Sequence, residues 1–166
     1  MGKYQFVGVD VDKCTGCRVC EYVCSMEHCG VFNPTRSRIH VVRVYPHTNA
    51  AFNCRMCDDA PCIPACPRKG AIVQDPETGI IRVDDVLCDV SGCNSCVRAC
   101  EYGSIVLEGG KPRICNLCEG RKGGPACIEW CPEGALELTT DDSLSQKMPA
   151  GFVQTSEQDP ATGEEH

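Results

Sequence analysis

The chain has 166 residues, a formal net charge of −7, 17 cysteines and only 5% aromatic residues. This length allows one modest domain or two small ones, and the few aromatic residues leave little material for a purely hydrophobic core. The sequence lacks a basic stripe interleaved with aromatic residues, so we expect no nucleic-acid partner. It also lacks an apolar run long enough to cross a bilayer, so we expect no direct membrane insertion.

The N-terminal segment MGKYQFVGVDVDKC carries no targeting signal. It has no apolar core, no small-residue cleavage site and no twin arginine, which argues against secretion. We therefore expect a cytoplasmic chain whose cysteines bind metal rather than form disulfides.

Sixteen of the cysteines fall into four quartets with short internal spacing. In chain order the quartets are Cys14, Cys17, Cys20 and Cys24; Cys54, Cys57, Cys62 and Cys66; Cys88, Cys93, Cys96 and Cys100; and Cys115, Cys118, Cys127 and Cys131. Three closely spaced cysteines suit three irons of a [4Fe–4S] cubane, and in two-cluster ferredoxins the last cysteine of a run binds the other cluster. Four quartets therefore predict four [4Fe–4S] clusters in two pairs.

Short strands are predicted between the quartets, and short helices within them. The predicted strands are rich in β-branched residues or lie next to a turn. They span residues 4–9, 38–45, 71–74, 80–83, 104–108, 111–114 and 135–139. Turns containing glycine join 71–74 to 80–83 and 104–108 to 111–114, so each pair predicts a hairpin. The three residues before the last cysteine of each quartet suit one or two helical turns, and Pro67 and Pro132 end two of them.

Zinc is the main alternative to iron for these cysteines. Cys115, Cys118, Cys127 and Cys131, taken alone, could form an all-cysteine zinc site. The closely spaced Cys14, Cys17 and Cys20 fit zinc poorly, because structural zinc sites usually take two ligands from each of two knuckles. The four quartets together favour clusters.

Cys29 and the C-terminal tail lie outside the quartet pattern. We interpret Cys29 as a small, partly buried free thiol, with a ligand or redox-sensing role as the alternative. For the neighbouring His28 a structural role is favoured over a hydrogen bond to a cluster sulfur. Residues 141–166 are polar and acidic and predict an extended, disordered end. Within the tail, the apolar segment 148–153 could dock on a partner.

The quartets resemble those of the four-cluster ferredoxin-type electron-transfer subunits of molybdenum and tungsten oxidoreductases, the dimethyl sulfoxide reductase iron–sulfur subunit family. CRMCDDAPCIPACP at 54–67 and CNLCEGRKGGPACIEWCP at 115–132 resemble the second and fourth motifs of that family, and the resemblance covers about residues 3–140. CTGCRVCEYVCS at 14–25, with VFNPTRSRI at 31–39, is most similar to the small subunit of tungsten-containing aldehyde:ferredoxin oxidoreductase-type complexes.

This resemblance implies an α+β fold of two bacterial dicluster-ferredoxin-like modules, made of small antiparallel hairpins and short helices around four clusters. Residues 51–101 would form a module inserted in an outer module of residues 1–50 and 102–140, followed by an acidic extended tail, 141–166. The implied ligand sets, which we name sites I to IV, are Cys14, Cys17, Cys20 and Cys131 (I); Cys115, Cys118, Cys127 and Cys24 (II); Cys54, Cys57, Cys62 and Cys100 (III); and Cys88, Cys93, Cys96 and Cys66 (IV). Two residues depart from the family pattern. Glu101 replaces the proline that usually follows Cys100, and Ser25 is the residue that follows Cys24.

The function implied by the resemblance is electron relay without catalysis. The chain would pass single electrons between a catalytic tungsten or molybdenum subunit, of the aldehyde oxidoreductase type, and a flavin-, ferredoxin- or NAD-linked redox partner in anaerobic metabolism. No nucleophile–base arrangement is apparent, and the four histidines form no catalytic pattern. The alternatives are a free-standing polyferredoxin carrier, the iron–sulfur subunit of a formate dehydrogenase or hydrogenase-type complex, and a zinc-binding scaffold.

Overall fold

The computed structural model describes residues 3–44, 48–88 and 92–140. Its elements are β1 (Phe6–Val9), α1 (Val19–Cys29), a 3-10 helix (Pro34–Arg36), β2 (His40–Val44), β3 (Thr48–Phe52), β4 (Ile72–Gln74), β5 (Ile81–Val83), α2 (Ser95–Ala99), β6 (Val106–Glu108), β7 (Lys111–Arg113), α3 (Ala126–Glu129) and β8 (Leu136–Thr139). These small strands and short helices agree with the predicted α+β, ferredoxin-like character. Within the described ranges, no helix has the length and apolar composition needed to span a membrane.

The strands form small antiparallel pairs. β2 pairs with β3, β4 with β5 and β6 with β7, each as a hairpin of consecutive strands. The fourth pair joins the two ends of the described chain, because β1 lies against β8 with Phe6 opposite Thr139 and Val9 opposite Leu136. Closing such a long loop costs more entropy than closing a hairpin, so the β1–β8 pair depends on the packing of the intervening residues.

Most of the predicted elements are confirmed, with two differences. The hairpins at 71–83 and 104–114 and the first and last strands are present. β3 was not predicted, because its central residues Asn49, Ala50 and Ala51 have low strand propensity. Residues 63–65 form turns rather than a helix, because Pro64 lacks the N–H that a helix would use. Residues 45–47 of the predicted strand and the tail with its apolar segment 148–153 lie outside the described residues.

Two apolar cores hold these elements together, and β1 contributes to both. Core 1 contains Tyr4, Phe6, Met56, Ala60, Ile72, Ile81, Ile105 and Ile114 with Cys54, Cys62, Cys96 and Cys115. Core 2 contains Val7, Val9, Ile39, Ala50, Ala51 and Leu136 with Cys20, Cys24 and Cys127. Phe6 and Val7 enter different cores because successive strand side chains point to opposite faces. Cysteines therefore make up a substantial part of both cores.

Gly79 allows the turn between β4 and β5 to pack against Tyr4, whose hydroxyl donates to the Pro76 carbonyl at 3.2 Å. The φ of Gly79 is +75°, and a Cβ at this position would overlap the Tyr4 ring. We expect Gly79→Ala to lower the temperature at which the loaded protein loses its visible absorption, because left-handed strain of about 1–2 kcal/mol adds to displacement of Tyr4. Gly110→Ala is the matched control, since its φ is +81° and its Cβ would meet open space. Equal losses in the two variants would argue against a role for the Tyr4 contact.

Candidate metal centres

Helix α1 carries one cysteine of predicted site I and one of predicted site II. It begins after Arg18, which has a left-handed φ of 65°, and ends at Gly30, whose N–H donates to the Met26 carbonyl. Cys20 and Cys24 are four residues apart, so they lie one above the other on the same helix face, and both are buried. The helix thus points one thiol toward site I and the next toward site II.

A repeated backbone geometry shapes the four cysteine loops. The residue before the second cysteine of each quartet is left-handed, with φ values of 69° at Gly16, 50° at Met56, 84° at Gly92 and 55° at Leu117. For a non-glycine residue this conformation costs about 1–2 kcal/mol. The N–H groups of Gly16, Met56 and Leu117 bond to the thiols of the first cysteines of their quartets. Backbone donors aimed at sulfur in this way stabilise a thiolate.

The predicted site I cysteines line one small cavity together. Cys14, Cys17, Cys20 and Cys131 share its wall with apolar side chains that include those of Val41 and Leu136. Burial raises the pKa of Cys14, and the nearby Cys131 and Cys17 thiolates raise it further. Burial, followed by the Glu21 charge, raises the pKa of Cys20 to about 12. The Ala135 N–H donates to Cys131 Sγ at 3.3 Å, which supplies a donor from the strand end of the chain.

The predicted site II cysteines also lie together, around a cavity lined by Cys24, Cys115, Cys118 and Cys127. Burial raises the pKa of Cys127, and the charges of the other three thiolates raise it further. Burial raises the pKa of Cys115 to about 12, against an opposing effect of Arg38. The Arg38 N–H donates to Cys24 Sγ at 3.3 Å.

His28 contacts a site II sulfur directly, with its Nε2 3.7 Å from Cys118 Sγ. Sequence reasoning favoured a structural role for this residue. The available signal was helical spacing, because His28 follows Cys24 by four residues and so shares its face of α1. Burial lowers the pKa of His28 to about 4, so the ring is neutral near neutral pH and can offer its N–H to the sulfur.

The predicted site III cysteines also share a cavity. Cys54, Cys57, Cys62 and Cys100 line it, together with Arg55, Glu101 and Tyr102. Burial raises the pKa of Cys62 to about 11, with the Cys100 thiolate as the next contribution. The Ser104 hydroxyl lies 3.4 Å from Cys100 Sγ. Arg55 packs on the rings of Phe6 and Tyr102, which holds a cation beside the site.

Site IV brings Cys66 of the second quartet to the third quartet. Burial raises the pKa of Cys88, and the Cys66 and Cys93 thiolates raise it further. Burial also raises the pKa of Cys96, with smaller contributions from Cys66 and Cys88. At Cys93, hydrogen bonds with the Ser95 backbone and side chain lower the pKa of the thiol. Cys93 Sγ and Ser95 Oγ are 3.6 Å apart. The adjoining residues 89–91 lie outside the described ranges.

The donor sets of the four sites fit an iron–sulfur cluster. Each set is composed only of thiols, three from one quartet and one from another. Backbone N–H groups and nearby cations, which stabilise thiolates and tune cluster potential, accompany several of them. Sequence reasoning did not identify the buried Glu21 or the Arg38 N–H, although both are close to cysteines in the sequence or in the fold.

Cys29 is the last residue of α1 and is partly buried, as the sequence predicted for a free thiol. Each of the four predicted sites has four cysteines without it. We therefore expect Cys29→Ser to leave the iron content and the magnetic resonance spectrum of the reduced protein unchanged. Cys24→Ser is the matched control on the same helix and should lose iron. Loss of a cluster in Cys29→Ser would contradict this assignment.

The chain is similar to several known proteins whose names describe electron transport or an oxidoreductase subunit. A polyferredoxin-like subunit of aliphatic sulfonate oxidoreductase from Pyrococcus furiosus is 40% identical over 134 residues, covering 78% of this chain and 74% of that one. The electron transport protein HydN of Escherichia coli is 34% identical over 166 residues, covering 86% and 91%. Subunit beta of the NADH-dependent phenylglyoxylate dehydrogenase of Aromatoleum evansii is 33% identical over 154 residues, covering 89% of this chain but 33% of that one.

The family match covers more than half of the chain. The profile described as "4Fe-4S dicluster domain" matches residues 47–141, a range that contains three of the four cysteine quartets. Together with the relatives that match most of the chain and the all-thiol donor sets, this match establishes the family. The chain belongs to the 4Fe-4S dicluster domain family.

Proposed function

We propose that this protein is an electron-transfer subunit that holds four [4Fe–4S] clusters, one at each of sites I to IV, and relays single electrons between an oxidoreductase catalytic subunit and a redox partner. The observation that carries the proposal is the composition of the sites, since each joins three thiols of one quartet to the last thiol of another. That exchange is the ligand pattern of two-cluster ferredoxins. The names of the relatives, an oxidoreductase subunit and an electron transport protein, support the same role.

Clusters are favoured over zinc by how the thiols are spread. A zinc ion needs its cysteine sulfurs at about 2.3 Å from one point, whereas a cubane binds its four thiolates at the corners of a larger tetrahedron. Among the residues that the structure describes, no three Cys, His, Asp or Glu side chains converge on a position for a single ion. The grouping of four thiols around each site supports the larger group.

We also propose the nested arrangement of modules, with residues 51–101 inserted in an outer module of 1–50 and 102–140. The pairing of β1 with β8 supports it, because this pair closes the outer part of the chain on itself. Core 2 supports it as well, since Cys20, Cys24 and Cys127 of the outer module lie there together, whereas core 1 joins Cys54, Cys62 and Cys96 of the inserted module to Cys115 of the outer one. Leu117 packs against both cores, which links the two modules.

The residues around the sites provide the environment for electron transfer. When bound, each cluster supplies a one-electron couple. Burial of Cys20, Cys54 and Cys127 excludes water, and backbone N–H groups satisfy the sulfur charge without any conformational change. The cations near the cysteines, such as Arg38 and Arg55, offset the negative charge of a cluster and its thiolates, which raises the reduction potential.

For the partner, we propose a catalytic tungsten or molybdenum subunit of the aldehyde oxidoreductase type in a cytoplasmic, anaerobic complex, with a flavin-, ferredoxin- or NAD-linked protein at the other end of the relay. The motif at 14–25 with the segment at 31–39 supports this subgroup. A formate dehydrogenase or hydrogenase-type complex is a second candidate. The similarity to the electron transport protein HydN over most of both chains supports electron transfer in either kind of complex.

The proposal is tested by purifying the tagged chain from its native host without oxygen. We expect a large chain to co-purify in fixed ratio, with tungsten or molybdenum in the complex. The control is the Cys20→Ser and Cys24→Ser double variant, which should lose sites I and II and with them the part of the fold that they organise. A wild-type chain that purifies alone but loaded with iron would contradict the subunit role and favour a free-standing carrier.

A further inference from the structure

Glu21 is a buried carboxylate immediately after a cysteine of site I. Its side chain is 1% exposed, while that of its ion-pair partner Arg18 is 50% exposed. One carboxylate oxygen accepts from Arg18 Nε at 2.7 Å and the other from the Val41 N–H at 2.7 Å. Burying a charge is costly unless it is paired and hydrogen-bonded, and Glu21 meets both conditions.

The position of Glu21 directs its charge at site I. Both of its partners, Arg18 and Val41, lie in the wall of the site I cavity, so Glu21 lies directly behind that wall. After burial, its charge is the largest contribution to the raised pKa of the Cys20 thiol. Exposure to solvent screens the opposing charge of Arg18.

Two other groups, one of them beside the site I loop, could offset the Glu21 charge at site I. Arg43 donates through Nη2 to the Gly16 carbonyl at 2.6 Å and is an exposed residue, so solvent screens it as well. His40 is affected by the Glu21 charge, but burial lowers its pKa and so favours the neutral ring. Glu133 lines the site I cavity but is exposed, so solvent screens it too. Among the described residues, the Glu21 carboxylate is therefore the least screened charge beside site I.

At site II the nearby charge is that of a cation, Arg38. Its backbone N–H donates to Cys24 Sγ at 3.3 Å, its charge opposes the rise in the pKa of Cys115, and its side chain lines a groove with Arg82 and Arg113. Arg82 and Arg113 form ion pairs with acidic side chains, whereas the Arg38 guanidinium has no ion pair within the described part of the chain. Glu27 and Arg121 also lie near site II, and Arg121 pairs with both Glu27 and Glu129, whose exposed carboxylates are screened by solvent.

We propose that the two outer sites are electrically asymmetric, with Glu21 making site I the more reducing and Arg38 making site II the more oxidising of the pair. The inference rests on the proposed function, since it concerns clusters at these sites. Adding an electron beside a weakly screened negative charge is unfavourable, and adding one beside a positive charge is favourable. Electrons that reach site I would then pass downhill to site II, so the two side chains set a direction of flow.

The test is a redox titration of the full, cluster-loaded protein under anaerobic conditions, followed by magnetic resonance. In Glu21→Gln we expect one reduction step to move to a more positive potential while the other steps stay in place. The glutamine carbonyl still accepts the Val41 N–H, so a purely structural role of Glu21 predicts no shift. In Arg38→Gln a different step should move to a more negative potential, and the double variant should show both shifts.

Two further variants make the test decisive. Glu137→Gln removes the same charge from an exposed residue of β8 and should move no step. Arg18→Gln removes a cation that itself lies in the wall of site I, so it should move the Glu21-sensitive step to a more negative potential and identify it as the site I step. If Glu21→Gln loses iron, the shift in Arg38→Gln decides the matter. If Glu21→Gln and Arg38→Gln keep about 16 irons and no reduction potential moves, the proposed asymmetry is wrong while the proposed function stands. A wild-type protein without reducible clusters would overturn the proposed function and the asymmetry with it.

Discussion

Replacing Cys14 and Cys131 together by serine should remove one cluster, about 4 of about 16 irons, whereas replacing Cys14 and Cys24 together should remove about 8. Cys14 and Cys131 line the same cavity, while Cys24 lines the cavity of site II. A site reduced to three thiolates leaves one iron open to solvent and to loss. The measurement is the iron content of anaerobically purified variants.

The opposite arrangement gives the opposite result, which makes this pair of variants informative. If each quartet closed on itself, Cys14 and Cys24 would share a cluster and their double variant would lose only about 4 irons. The single variants are the controls, and each should lose one cluster. The inserted module provides an independent repeat, since Cys66 and Cys88 should behave as one site, and Cys62 and Cys66 as two.

Removing iron should unfold the described part of the chain. Cysteines form a large part of both apolar cores, and the chain has only 5% aromatic residues to replace them. Metal-binding free energy in such a protein is folding free energy. We expect an anaerobic chelator to abolish the near-ultraviolet circular dichroism together with the visible absorption.

The pH dependence of this loss has a definite sign. Burial raises the pKa of Cys20 and Cys115 to about 12, and an exposed thiol also has a pKa above neutral pH, so cluster assembly releases protons. A lower pH therefore opposes the clusters, and the chelator should act faster at mildly acidic than at neutral pH. The control is protein with chelator already saturated with iron. Native tertiary signal that persists after the visible absorption has gone would contradict the account.

The sequence was most informative where local chemistry decides structure. Quartet spacing identified the cysteine loops, and β-branched residues or turn glycines identified β1 and the two later hairpins. β3 was missed because Ala50 and Ala51 gain their burial from core 2 rather than from strand propensity. The turns at 63–65 depend on Pro64, a signal that was available in the sequence.

Long-range features could not be derived from spacing. The meeting of Cys131 with Cys14 depends on the pairing of β1 with β8, which joins distant parts of the chain and is favourable only after the residues between them have packed. Left-handed backbone at Met56 and Leu117 has no glycine to mark it. The position of Glu21 beside site I depends on the Val41 N–H of β2, which local sequence does not reveal.

The central claim is that this chain holds four [4Fe–4S] clusters, and counting iron and acid-labile sulfide per chain in anaerobically purified protein tests it most directly. We expect about 16 irons and about 16 sulfides per chain, because each cubane contains four of each. About 12 or fewer of either in intact protein would contradict four clusters. Stoichiometric zinc without sulfide would contradict the electron-transfer account altogether.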